Sequence, residues 1–220
     1  MQRVPTPFLP DPLALIPTNW RIRVKQNTIQ NKLILLARSL GATDATLLSA
    51  SDIVVKEELA RLCREPQCEN YGLSPSCPPH VSGPTGFRRL LEQYESALLL
   101  KIDVPTEMML SSQIREIMQL LHEIAAGVEQ AARGLGLPDP RAFAGGSCKK
   151  LFCRDHATCR VLAESGSCRN PDKARPSMSG FGVDVSHLMK TAGWRMEKVT
   201  RDTDPEEVSM GSVAALVLLG

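Results

Sequence analysis

Seven cysteines occur in this chain, and all of them fall in two short windows. The first holds Cys63, Cys68 and Cys77, spaced C-x4-C-x8-C and followed at once by Pro78-Pro79. The second holds Cys148, Cys153, Cys159 and Cys168, spaced C-x4-C-x5-C-x8-C. Cysteines that only fill a core are spread along helices and strands, whereas these crowd into stretches of turn formers. "CENYGLSPSCPPH", residues 68–80, carries three prolines and a glycine, too many breakers for a helix or a central strand. Disulfides account for the pattern poorly, because an odd number leaves one thiol unpaired under any full pairing. The opening "MQRVPTPFLPDPLALIPTNW" also lacks a basic region followed by an unbroken apolar run, so a secretory leader is not expected. The expected location is therefore cytoplasmic, where thiols stay reduced. Metal binding is the reading that remains.

The rest of the chain describes what carries the two loops. Its 220 residues, 43% hydrophobic and 23% charged, are those of a globular domain with a real core. A formal charge of +2 gives no footing for nucleic acid as the main partner. The longest apolar run, Val213–Leu219, is far short of the roughly 20 residues a bilayer-spanning helix needs. Residues 1–20 read as a proline-rich arm and residues 21–220 as a single metal-binding α/β domain. Periodicity predicts a helix over residues 27–41, with Ile29, Leu33, Leu36, Ala37 and Leu40 on one face, Asn27 or Thr28 as cap and Gly41 as terminator. "DATLLSA" reads as a strand, "TGFRRLLEQY" as a helix, and "SALLLKIDV" as a strand buried on both faces.

The longest helix is expected from Thr106 to Leu135, with Ile114, Ile117, Met118, Leu121, Ala125, Val128 and Ala132 as its core stripe. Met108, Met109 and Met118 are expected to fill core rather than to ligate. "RAFAGG" is a short strand delivering the second cysteine window, "GVDVSHLMKTAGW" a helix with its turn, and "SVAALVLLG" a terminal strand. Strands alternating with helices predict an α/β sandwich with one central sheet and two cysteine-rich loops. The strands Ser96–Val104 and Arg141–Ala144 are expected to be neighbours, bringing both loops to one end of that sheet.

Four thiolates complete a tetrahedral metal site or ligate one cubane iron–sulfur cluster. Structural zinc favours short C-x2-C knuckles and none occurs here, so the wider spacings favour a cluster, 4Fe–4S, with zinc as the alternative. Gly145 and Gly146 would let backbone N–H groups approach an anionic cluster. Lys149, Lys150, Arg154, Arg160, Arg169, Lys173 and Arg175 outnumber Asp155, Glu164 and Asp172 in the second window. Such a cationic surround would stabilise a cluster, or else mark a solvated loop or an anion site. His80 and His156 are further candidate ligands, while His122 and His187 read as structural. No Walker loop, no G-x-G-x-x-G after a strand and no Ser–His–Asp order is found.

The combination "C…CENYG…SCPP" with "FAGGSCKKLFC…CR…ARPSMSGFGVDV…AGW", from Cys63 to Trp194, resembles a family of bacterial and archaeal proteins known only as predicted metal-binding proteins. The resemblance implies metal or cluster binding through Cys63, Cys68, Cys77, Cys148, Cys153, Cys159 and Cys168, and no particular reaction. Three functions follow as alternatives. The first is an iron–sulfur protein with a redox or electron-transfer role and a redox partner protein. The second is a zinc-stapled interaction module, and the third a cluster-dependent enzyme acting on a small molecule. The first loop lacks an obvious fourth ligand, and a cysteine crossing over from the second set is the favoured way to supply one.

Overall fold

The computed structural model describes residues 18–163 and 166–220, with side chains from residue 28 onward. The elements run α1 (Thr18–Ser39), β1 (Asp44–Ser49), α2 (Glu57–Arg61), α3 (Gly83–Leu91), β2 (Ser96–Pro105), α4 (Thr106–Leu110), α5 (Ile114–Gly134), β3 (Arg141–Phe143), α6 (Cys148–Phe152), α7 (Arg160–Ala163), α8 (Val185–Thr191) and β4 (Met210–Leu219). The four strands form one antiparallel sheet in the order β1-β2-β4-β3.

The central strands are apolar on both faces, and strict alternation divides their side chains between two cores. Leu98, Leu100, Ile102 and Val104 of β2, with Ala215, Val217 and Leu219 of β4, meet α1 and α5. Ala97 and Leu99, with Ala214, Leu216 and Leu218, meet Phe87 of α3, Leu188 and Met189 of α8, and the stretch Met178–Val183. Three rings anchor that second core. Phe87 lies 5.0 Å from Phe143 and 5.0 Å from Phe181, and Phe143 lies 5.3 Å from Phe181. The expected α/β sandwich around a central sheet is what the chain forms.

Several boundaries differ from expectation for local reasons. Helix α1 begins at Thr18, so Asn27 and Thr28 lie inside it rather than at its N-terminus. Residues 18–20 of the expected arm belong to this helix, and residues 1–17 lie outside the described residues. Of the face expected to be buried, Ile29, Leu33 and Ala37 are buried while Leu40 is 40% exposed. Gly41 takes φ +117°, a conformation that ends the helix as expected. The long helix expected over 106–135 is two helices. Ser111 donates to Met108 O and accepts from Gln113 N–H, and this local side-chain bonding breaks the ladder between α4 and α5.

The strand pairing is also different. β2 and β3 are not neighbours, because β4 lies between them and pairs with both. What brings the cysteine loops together is the end of β3. There Ala144 N–H donates to Pro176 O, and Met178 N–H donates to Ala144 O, so the chain returning from the second loop runs beside the strand that launched it. Ser177 N–H in turn donates to Ser76 O of the first loop at 3.0 Å. Three segments distant in sequence are thus laced at one point.

Candidate metal centre

The second cysteine loop leaves β3 at Gly145-Gly146 and rests on the outer face of α5. His122, fully buried, reaches both ends of that loop: its Nε2–H donates to Gly145 O at 2.8 Å and its Nδ1 accepts Arg175 N–H at 3.2 Å. Burial drives the ring's pKa down to about 4, against the pull of the Gly145 carbonyl, so the neutral form that these two bonds require is the stable one. Arg175 and Glu129 form an ion pair that is nine-tenths buried, and Glu129 Oε2 also accepts Ala142 N–H at 3.1 Å. Gln130 donates to Asp172 O, Gln119 to Leu151 O, and Lys173 pairs with Glu123. One helix face therefore fixes residues on both sides of the four cysteines.

Cys148, Cys153, Cys159 and Cys168 all line one cavity of about 510 Å³, together with Ser74–Ser76 of the first loop. Hydrogen bonds already converge on the sulfurs. Asn170 donates its backbone N–H to Cys168 Sγ and its side-chain amide to Cys153 Sγ, each at 3.3 Å. The Cys148 thiol donates to Ser76 Oγ at 3.4 Å, a bond that joins the two loops. Burial pushes the Cys148 thiol pKa up, with the Ser76 hydroxyl and, less closely, Ser74 opposing that rise. The nearby Cys77 and Cys168 push the same way as burial.

Cys63, Cys68 and Cys77 form a second neighbourhood, in which Cys77 is 6% exposed. Burial raises the Cys63 pKa first, and the proximity of Cys68 and Cys77 raises it further. Gly72, at φ +76°, turns this loop, and its N–H donates to Pro78 O. An ion pair of 2.9 Å between Lys150 and Glu69 spans the two loops. Cys77 thus lies beside both its own set and Cys148. Among the described residues no three His, Cys, Asp or Glu side chains converge into a site for a single metal ion.

The basic residues of the second loop mostly stitch the loop itself. Lys149 donates to Cys153 O and His156 O, Arg160 to Ser167 O, and Arg169 to Thr158 O. Glu164 lies outside the described residues. His80, His156 and His187 are exposed, and none of them lines the cysteine cavity. The glycine pair faces elsewhere than expected. A Cβ on Gly145 would meet Met118 Cε at 2.9 Å, and Gly146 at φ +82° lies equally close, so these glycines admit α5 rather than a cluster. Sequence reasoning passed over Ser76, Asn170 and Glu129, and although it read His122 as structural and placed Arg175 in a cationic surround, it did not join them. Asn170 alone had a local signal, since an Asn-Pro step two residues after a cysteine makes a turn that aims N–H groups back at the sulfur.

An α/β sandwich presenting two adjoining cysteine loops at one end of its sheet is a cysteine-rich protein of metal-binding type. The family described as predicted metal-binding protein (DUF2284) matches residues 46–219, which include all seven cysteines, and the chain belongs to that family. No curated protein and no solved structure matches it.

Proposed function

We propose that Cys148, Cys153, Cys159 and Cys168 hold a 4Fe–4S cluster in the cavity they line, and that the chain is a cytoplasmic redox protein serving a partner protein. The observation that carries this reading is the shared cavity of about 510 Å³, walled by four thiols. A single tetrahedral ion would draw four sulfurs to within about 4 Å of one another and needs no such space. The donor set is soft and all-thiol, which suits iron–sulfur chemistry. When bound, a cluster of this kind supplies a one-electron couple.

The chain's own residues do the rest. Asn170 supports two of the sulfurs with N–H bonds, contacts of the kind that orient ligands and tune a cluster's potential. Phe152, Val161, Pro171 and Pro176 give the cavity apolar wall, and the Lys149 and Arg160 bonds fix the loop that carries the ligands. Cys63, Cys68 and Cys77 are assigned the same metal-binding role at a neighbouring or shared centre, on the strength of their mutual proximity and the nearness of Cys77 to Cys148. His80 and His156 are left out of the ligand set because both side chains are exposed.

The test is anaerobic purification with iron, zinc and acid-labile sulfide analysis and EPR of the reduced protein. The expected result is brown protein with about four irons and matching sulfide per cluster, bleached by dithionite. Stoichiometric zinc without sulfide, in protein never exposed to air, would overturn the redox reading in favour of a stapled interaction module.

A further inference from the structure

Five buried side-chain polar atoms have no hydrogen-bond partner among the described residues, and three of them belong to residues that line one cavity. They are Asn70 Oδ1, Arg115 Nε and Ser147 Oγ. The cavity, of about 540 Å³, shares no lining residue with the one walled by the cysteines. It lies where the two loops meet on α5: Asn70 comes from the first loop, Arg115 from the helix, and Ser147, Lys150 and Arg154 from the second. A buried polar atom left unbonded is costly, and native proteins contain few of them. Three carried by residues that line one space leave partners for a ligand there to supply.

Ser147 sharpens the point. It is 3% exposed and occupies the N-cap position of α6, where a serine hydroxyl ordinarily bonds a backbone N–H, yet it makes no such bond. Its hydroxyl is left without a partner on a residue that lines the cavity. Three cations, Arg115, Lys150 and Arg154, stand against one lining carboxylate, Glu69, which holds Lys150 at 2.9 Å. Arg154 touches Asp155 only at 3.8 Å, with that carboxylate 93% exposed.

We propose that this cavity binds a small molecule carrying an oxyanion group, phosphate or carboxylate, beside a hydroxyl or amine. Arg115 Nε–H and the Ser147 hydroxyl donate to the oxyanion, for which the guanidinium fork is suited. Asn70 Oδ1, an acceptor, takes the ligand's hydroxyl or amine hydrogen. The volume falls in the range of small-molecule sites, roughly 300–1,000 Å³. Bound there, the ligand bridges the residue before Cys148 and the residue two after Cys68, so it clasps both cysteine loops. The site does not depend on which metal those loops carry.

The experiment is isothermal titration of the full chain, as purified, with glycerol 3-phosphate and with malate at constant ionic strength. Saturable binding of at least one is expected, and the two probes separate a phosphate site from a carboxylate site. Arg115→Gln should weaken that binding about tenfold or more, and Ser147→Ala about threefold, through loss of one charge-assisted or one neutral hydrogen bond. Metal content should be unchanged in both variants, and the remote, exposed Arg195→Gln should bind like the parent. Should Arg115→Gln fail to fold, Ser147→Ala decides, because its hydroxyl bonds nothing in the described protein. Binding of neither probe, heats reproduced by sodium chloride, or parental affinity in Ser147→Ala would overturn the proposal.

Discussion

His122 illustrates how one side chain can hold a loop that it never enters. Its ring is neutral because burial costs the imidazolium its hydration, and only the neutral ring can donate to Gly145 and accept from Arg175 at once. With a folded pKa of about 4 and an unfolded value near 6.5, the unfolded chain takes up the proton first as pH falls. Stability from this residue is therefore complete above about pH 6.5 and is lost progressively toward pH 4, by an amount on the order of 3 kcal/mol. Replacing His122 by Gln keeps the size but removes the titration. Urea unfolding should show the variant less stable at pH 7 by about 1–3 kcal/mol, with the gap narrowing at pH 5. A gap of constant size would show that the ring does not titrate on unfolding. That His122 is structural was readable from its place in a helix. Its two partners were not, because they stand 23 and 53 residues away and the loop between them has no period to register it.

Among the elements, α5 carries the greatest share of the site's geometry. One stripe packs Leu121, Ile124, Ala125 and Val128 against the sheet, and the edge beside it presents His122, Glu129 and Gln130 to the cysteine loop. Glu129 is the critical contact, since it neutralises buried Arg175 and also satisfies the outward N–H of edge strand β3. Glu129→Ala leaves a buried cation and a buried N–H unpaired, which should cost about 3–5 kcal/mol. The exposed pair Arg141–Asp139, broken by Arg141→Ala, should cost under about 1 kcal/mol. Melting temperatures of the two variants test the contrast, and equal losses would refute it. The elements themselves were largely legible: β2 and β4 as apolar runs, α3 and α8 by spacing, Met108, Met109 and Met118 as core filler. Pairing was not, because β2 and β4 are both apolar throughout and nothing local says which of them β3 should join. The start of α1 was missed because a polar stretch carries no amphipathic signal, although no proline or glycine stands between Pro17 and Gly41 to stop a helix.

For the molecule as a whole, the question is how far the fold depends on what the cysteines bind. The clustering of the thiols and the meeting of the two loops were both expected from the sequence, but the means of meeting was not, since it rests on the Ala144–Pro176 and Ser177–Ser76 bonds between segments of no recognisable pattern rather than on neighbouring strands β2 and β3. The two hydrophobic clusters answer the question of dependence. Both faces of the sheet are covered by helices, and neither cluster includes any of the seven cysteines. The sheet should therefore survive metal removal, unlike a zinc finger, whose folding energy is the metal's. The second loop is held by the His122 and Arg175 bonds and by whatever the thiols ligate. Cys153→Ala or Cys159→Ala should accordingly remove most bound metal while leaving the far-ultraviolet dichroism close to that of the parent. Chelation under anaerobic conditions should open the same segment. Hydrogen exchange at residues 148–170 should then accelerate by orders of magnitude, while amides of β2 and β4 remain protected, because local opening and global unfolding are separate equilibria. Limited proteolysis should cut first in that loop and leave the sheet joined to α1 and α5. Loss of protection in β2 and β4 on the same timescale as the loop would mean that the metal holds the whole domain together. Full metal retention in both cysteine variants would instead remove these residues from the site.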